Sequence, residues 1–318
     1  MLISEERNEP LLPGMDFSEV FSRLVRVSTK DIEETEAVQP NDKERPRPFV
    51  KWVGGKRGII HELIQRLPND ISEYYEPFTG GGALYFSQYK NIEKAVLSDV
   101  NIDLLLCYQV IKKDVEKLIE KLKIHAEKHS DEYFYKIRSK HDLTDPIEIA
   151  SRFIYLNKTC FNGLYRVNSK GEFNVPVGKY VNPQIVGELN LKACQQALSK
   201  ATIRLQSYDK ITPNEGAFVY FDPPYHPTSE TAYFTQYSKD GFSEKDQIAL
   251  RDFFVKLSKQ KVNVMLSNSN TPFVQDLYKG YNIAIVDRPG NVNCKPNKRN
   301  SVEEVLITNY DQSNRVGE

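Results

Sequence analysis

Cysteine is scarce in this chain of 318 residues. The four present, Cys107, Cys160, Cys194 and Cys294, are scattered, with no CxxC pair and no metal-ligand spacing. That excludes a disulfide scaffold and a zinc module. No metal is expected, and the thiols are expected to be reduced and structural, in a cytoplasmic protein. No run of about 18 apolar residues occurs, so no membrane-spanning helix is expected. The first residues are acidic and polar and do not read as a signal peptide. Net charge is missing too: 43 Lys and Arg balance 43 Asp and Glu. A general polyanion binder would carry an excess of one sign. Neither the GxGxxG dinucleotide fingerprint nor a P-loop lysine motif is found.

What is present begins with an apolar share of 40%, enough for a sizeable core. The charges are also unevenly spread. Residues 1–40 hold nine acids and four bases. Between Arg152 and Tyr180, five bases (Arg152, Lys158, Arg166, Lys170, Lys179) face Glu172 alone. Between Arg288 and Asn300 there are four bases (Arg288, Lys295, Lys298, Arg299) and no acid. Two basic segments on a neutral chain fit a nucleic-acid face, although solvated loops would give the same count.

Residues 1–45 read as a loosely structured extension containing one short helix, Phe17–Val27. Then comes Lys51-Trp52-Val53-Gly54-Gly55-Lys56-Arg57. Here glycines allow close backbone approach and cations stand beside them. Trp52 suits either the core or a pocket wall. The run Tyr74 to Phe86 reads as strand, glycine turn, helix, and it includes Glu76-Pro77-Phe78-Thr79-Gly80-Gly81-Gly82. The next strand, Ala95–Asp99, ends in an acid placed to take a ribose hydroxyl pair. After the helix that begins at Asn101, β/α alternation stops.

Helices are expected over Lys112–Lys128, Asp131–Arg138 and Asp145–Thr159. A short basic hairpin pairing Tyr165–Val167 with Glu172–Val175 follows, of a kind that enters a DNA major groove. Alternation resumes near residue 202. Two closing strands, Asn282–Asp287 and Val302–Asn309, lack an intervening helix and predict an antiparallel pair at the sheet edge.

The decisive stretch is Phe218-Val219-Tyr220-Phe221-Asp222-Pro223-Pro224-Tyr225. Four apolar residues read as a buried strand. Two prolines then stop it and fix the backbone. Asp222 is left at a strand's carboxyl end, where open α/β sheets bind ligands. A carboxylate, two proline carbonyls and an aromatic ring suit a planar ring bearing an amine. A sharp turn with no function would read the same way in isolation.

Taken in order, the segments Lys-Trp-Val-Gly-Gly-Lys, Glu-Pro-Phe-Thr-Gly-Gly-Gly, Ser-Asp-Val-Asn and Asp-Pro-Pro-Tyr resemble the Dam-like DNA adenine-N6 methyltransferases (D12 class, alpha group). The likeness spans roughly Pro48 to Tyr310. Phe161-Asn-Gly-Leu-Tyr-Arg-Val-Asn-Ser-Lys brings it nearest the GATC-specific restriction-modification enzymes. The resemblance implies an α/β fold of the class I S-adenosylmethionine-dependent type. This is a Rossmann-like, mostly parallel sheet with one antiparallel edge strand, plus an inserted helical and β-hairpin DNA-recognition domain. The catalytic domain would comprise residues 46–111 and 202–311, the insert 112–201 and a tail 312–318.

S-adenosylmethionine would be the cofactor, held by Trp52, Lys56, Glu76, Pro77, Phe78, Gly80, Gly82, Asp99 and Asp222. The catalytic loop would be Asp222, Pro223, Pro224 and Tyr225. Lys51, Asn162, Leu164, Arg166, Asn168 and Pro176 would meet a GATC site in DNA, with Phe161 beside the displaced base. A cognate restriction endonuclease is the implied functional partner.

Adenine N6 is a poor nucleophile because its lone pair is conjugated with the ring. Asp222 and the Pro223 carbonyl, accepting its two N–H groups, would free that pair. Tyr225 would stack on the flipped base. Nothing resembling the Pro-Cys nucleophile of cytosine-C5 chemistry appears. Three other readings stay open on the residues alone. They are methylation of cytosine N4 or RNA adenine, a non-catalytic sequence-specific DNA binder, and a nicotinamide dehydrogenase sharing the sheet pattern.

Overall fold

The computed structural model describes residues 45–228, 242–288 and 302–311. The extension before residue 45, its helix Phe17–Val27, Cys294, the bases Lys295, Lys298 and Arg299, and the tail 312–318 lie outside the described residues. The chain divides into two compact units.

One unit, built from Gly54–Asn101 and the chain from Ala197 onward, is a seven-stranded sheet flanked by helices. Its strands are β1 (Glu73–Glu76), β2 (Lys94–Asp99), β3 (Ala201–Leu205), β4 (Phe218–Phe221), β5 (Asn263–Ser269), β6 (Asn282–Arg288) and β7 (Val302–Thr308). The spatial order is β3-β2-β1-β4-β5-β7-β6. All neighbours pair in parallel except β7, which runs antiparallel to both β5 and β6. The antiparallel strand expected at the edge therefore stands one place in. β6 lies outside it, because the direct β6–β7 connection folds the last two strands back on each other.

Each β4 residue is buried, as a strand covered on both faces requires. Val219 and Phe221 join a core with Val264, Leu266, Leu250, Phe254 and Tyr278. Each such apolar side chain contributes roughly 1.5–3 kcal/mol by leaving water. Helices α1 (Ile60–Gln65) and α2 (Ala83–Gln88) belong to this unit. Strand order reverses between β1 and β4, so the crevice of this sheet opens at their carboxyl ends, just beyond Glu76 and Phe221.

The other unit contains Phe49–Val53 and Ile102–Gln196. Its helices are α3 (Ile102–Glu127), α4 (Asp131–Arg138), α5 (Pro146–Thr159) and most of α6 (Glu188–Leu198). The helix expected from Asn101 and the one expected from Lys112 are a single element, bent at Asp114 (φ −136°, ψ 43°). No proline or glycine between 102 and 127 ends it. Compactness thus divides the chain at Ile102, ahead of the expected boundary at 112.

Asp145 caps α5, accepting hydrogen bonds from the Ile147 and Glu148 N–H groups, with Pro146 in the first turn. Arg152 donates to the carbonyls of Ile137 and Arg138 at the end of α4. That base, counted among the basic segment's charges, is half-buried helix-capping structure. The helices α7 (Glu244–Lys259) and α8 (Pro272–Leu277) complete the sheet unit. Ser243 and Asp246 form a capping box at the start of α7.

Candidate active site and nucleic-acid face

In the sheet unit, β4 delivers Asp222 to the crevice end. Its carboxylate Oδ1 receives Lys56 Nζ at 2.7 Å and the Ser267 hydroxyl at 2.9 Å. Both of these contacts fall on Oδ1. Burial pushes the Asp222 carboxyl above its ordinary range, while Lys56 and Ser267 pull it back. Lys56, only 3% exposed, also donates to the Gly54 carbonyl, so the Gly-Gly loop holds its own cation over the acid.

The loop around Asp222 is braced by the end of β5. Ser267 Oγ also meets the Tyr220 hydroxyl at 3.0 Å. Asn268 accepts from the His226 N–H at 3.0 Å and donates to Gln247 at 3.0 Å. Gln247, on α7, donates to the Pro224 carbonyl at 2.9 Å. Ser269 donates to the His226 carbonyl at 2.6 Å. Ser267-Asn268-Ser269-Asn270 stands out in the sequence only as a polar end to an apolar strand. The structure gives its first three residues the task of pinning the Asp-Pro-Pro-Tyr-His loop. The Pro224 carbonyl is occupied by Gln247.

The glycine turn after β1 is fixed from the neighbouring strand. The Thr79 hydroxyl donates to the Glu76 and Ser98 carbonyls. The Gly80 N–H donates to Asp99 Oδ2 at 3.0 Å, and the Asn101 N–H to Oδ1 at 3.0 Å. Gly80 (φ 47°) and Gly82 (φ 65°) sit in the left-handed region, which explains why glycine is needed there. Pro77 separates Glu76 from Phe78, whose ring stacks on Tyr208. Glu76 is 2% exposed, and burial pushes its carboxyl up to about 8 despite the Tyr74 hydroxyl at 2.7 Å. Nearby in the sheet, the Gln206 N–H donates to the Asp99 carbonyl. The Gln206 amide Nε2 is buried with no partner.

The expected DNA-contacting residues fall together in the helical unit. Asn157, on α5, acts as a staple. Its side chain accepts from the Lys51 N–H and donates to the Lys51 and Gly163 carbonyls, at 2.8, 2.8 and 3.0 Å. Asn162 (φ 55°) and Gly163 (φ 65°) turn the chain through two left-handed residues. A side chain at Gly163 would run into that of Lys51. The turn leaves Phe161 (51%) and Leu164 (37%) exposed. Lys51, Asn162, Arg166 and Pro176 are exposed as well. The Phe161 N–H donates to the Pro176 carbonyl, which joins the two ends of the segment. Lys51 Nζ meets the Tyr180 hydroxyl at 2.9 Å, and Arg166 Nε meets Asn174 at 2.7 Å.

The expected hairpin is present as a short one: Val167 bridges Phe173, and backbone hydrogen bonds run from the Asn168 N–H to the Glu172 carbonyl and from the Asn174 N–H to the Arg166 carbonyl, at 2.9 and 3.0 Å. Asn168 reinforces its turn: its Oδ1 accepts from the Lys170 and Glu172 N–H groups and its Nδ2 donates to Glu172. Its amide is thereby taken up in the turn. Trp52 also lies in this unit, stacked on Phe153 and Tyr165 with centroids 6.4 and 5.8 Å apart.

Comparison with known proteins identifies the family. Residues 52–289 match the model of the D12 class N6 adenine-specific DNA methyltransferases. The chain belongs to that family. It is similar to the Type II methyltransferase M.MjaIII of Methanocaldococcus jannaschii, 44% identical over 83% of this chain and 99% of the relative. The Type II methyltransferase M1.LlaDCHI of Lactococcus lactis subsp. cremoris is 41% identical, covering 83% and 95%. A DNA adenine methylase of Vibrio cholerae is 33% identical, covering 83% and 96%. No helix among the described residues of this D12 methyltransferase is long and apolar enough to cross a membrane.

Proposed function

We propose that this chain methylates adenine N6 within GATC sites of duplex DNA, in the cytoplasm, as the protecting partner of a restriction endonuclease. S-adenosylmethionine is the donor the family implies. The observation that carries the chemistry is the Asp222 carboxylate. It is braced at Oδ1 by Lys56 and Ser267 and leaves Oδ2 for a substrate amine. Burial raises the Asp222 carboxyl while Lys56 and Ser267 favour its ionised form, and in that form it accepts hydrogen bonds from a substrate amine. With the Pro224 carbonyl taken by Gln247, the Pro223 carbonyl is the second acceptor.

The two acceptors draw the N6 hydrogens aside, and the positive charge that develops on nitrogen falls next to Asp222. Tyr225 stacks on the base, returning about 1–3 kcal/mol of the cost of flipping it out of the duplex.

The residues present fit S-adenosylmethionine. The positive-φ turn at Gly80–Gly82 offers bare backbone, Asp99 offers a carboxylate, and Gln206 an unpartnered buried amide. Lys56, Glu76, Pro77, Phe78, Gly80, Gly82, Asp99 and Asp222 would hold it, to which the resemblance adds Trp52. When bound, the cofactor supplies an electrophilic methyl group. The protein's part is placement and polarisation.

For readout, Arg166 contacts a guanine edge and Leu164 and Pro176 touch thymine methyls. Lys51, Phe161 and Asn162 complete the contact face, while Asn168 shapes its turn. The test is methyl transfer from radiolabelled S-adenosylmethionine to defined oligonucleotides, single- and double-stranded, with the modified base identified. N6-methyladenine confined to duplex GATC supports the proposal. Methyl on cytosine N4, or equal transfer to GATC and its single-base variants, would overturn it.

A further inference from the structure

Glu304 lies on β7, opposite Ser269 of β5 and Val286 of β6. The next three residues, Val305, Leu306 and Ile307, are fully buried and apolar. Glu304 itself is 1% exposed. A carboxylate removed from water is costly unless each oxygen finds a partner. Both oxygens do. Oε2 accepts the Tyr225 hydroxyl at 2.7 Å, and Oε1 meets Arg288 Nη1 at 3.1 Å. The other Arg288 nitrogen, Nη2, reaches the Gly55 carbonyl at 3.4 Å. Lys56 Nζ stands 4.7 Å from the centroid of the Tyr225 ring.

An apolar residue at 304 would satisfy the sheet equally well, so the acid needs another reason. Prolines fix the backbone before Tyr225, yet its ring keeps two free torsions. A tether on the hydroxyl fixes the far end of the ring and with it the first torsion, and because a phenolic O–H prefers the ring plane, it also biases the second.

We propose that Glu304, oriented by Arg288, is a positioning residue that fixes the Tyr225 ring for stacking on the flipped adenine. The proposal rests on the reading of Tyr225 given above. The same tether links the Gly54-Gly55-Lys56 loop to that ring, so the two sides of the sheet unit's crevice are set together.

A double-mutant cycle tests this. Single-turnover methylation of a duplex GATC oligonucleotide is measured for Glu304→Ala, Tyr225→Phe and the double variant. Fluorescence of 2-aminopurine at the target position reports the flipped base. Thermal melting and cofactor binding serve as controls for the fold. Each single change is expected to slow transfer about five- to tenfold, the worth of a charge-assisted hydrogen bond. The double change is expected to be no slower than either, with matching changes in 2-aminopurine signal. Glu304→Gln, which keeps an acceptor, is expected to recover most of the loss. Should Glu304→Ala fail to fold, Glu304→Leu, which fills the volume, takes its place in the cycle.

An undiminished effect of Glu304→Ala (or Leu) in the Tyr225→Phe background would overturn the proposal. Tyr225→Ala separates the layers. If it slows transfer while the cycle is additive, only the role of Glu304 fails. If it leaves transfer intact, the stacking role of Tyr225 fails and the present proposal with it.

Discussion

The loop around Asp222 and the segment from Phe161 to Pro176 are both irregular backbone, but they are held in opposite ways. Around Asp222, polar side chains on β5 and α7 hold the acid, the Pro224 carbonyl, and the N–H and carbonyl of His226. Around Phe161, two side chains grip the backbone from the helices, Asn157 at Lys51 and Gly163 and Arg138 at the Val175 carbonyl, and the segment's own backbone bonds and turns hold the rest. On the function proposed above, the atoms that matter in the first are carboxylate and carbonyl oxygens whose placement decides a rate, and in the second exposed side chains that meet DNA. Rigid support close to the reacting atoms serves transition-state stabilisation. A pinned frame with free side chains serves readout of base edges.

The sharpest way to break this contrast is at Asp222. Asp222→Ala is expected to keep the fold and lower methyl transfer about a thousandfold, near 4 kcal/mol, in single-turnover assays. A loss under about tenfold would mean the acid is no more than a turn former.

The corresponding cut in the other region is Asn157→Ala. It removes three hydrogen bonds and leaves the Lys51 and Gly163 backbone groups without their partner. Stability should fall by about 2–3 kcal/mol in denaturant melts, and DNA affinity should fall with it. Unchanged DNA binding in a destabilised protein would separate the staple from the contact face.

Arg166→Ala sharpens the contrast in function alone. It is expected to cost about 1–3 kcal/mol on GATC and much less on single-base variants, by competition binding. Equal losses on all sequences would make Arg166 a phosphate contact.

The last test reads pH, through Glu76. Its folded-state carboxyl is pushed up to about 8 from 4.5, so the folded form holds a proton that the unfolded chain releases. Stability should therefore fall as pH rises from 4.5 to 8, by up to about 1.4 kcal/mol per unit. Glu76→Gln should flatten that part of the melting-temperature profile, and an unchanged slope would assign it elsewhere.

Much of this was readable from local chemistry. Phe218–Phe221 is apolar on both faces and is stopped by two prolines, so a buried strand ending in Asp222 could be placed from sequence. The Asp145-Pro146 start of α5 and the glycines at 80 and 82 gave similar local signals. The support of the site was not readable. Ser267, Gln247 and Glu304 act on residues 45, 23 and 79 positions away, and no periodicity marks such pairings. Trp52 suited core or pocket equally from its composition. Only the fold shows it stacked on Phe153 and Tyr165. The hairpin was readable from its Lys-Gly turn, and the backbone bonds between 166–168 and 172–174 form it; the Asn168 side chain that reinforces the turn was not.

Gly163 has a consequence for how such an enzyme can change. With the Lys51 side chain pressed against its bare Cα and φ at 65°, this position disfavours any side chain while the lysine keeps that place. Phe161, Leu164 and Arg166 stand clear of that contact and are free to vary around it. A lineage could therefore acquire a new target sequence by exchanging the protruding side chains while the hinge beneath them stays fixed.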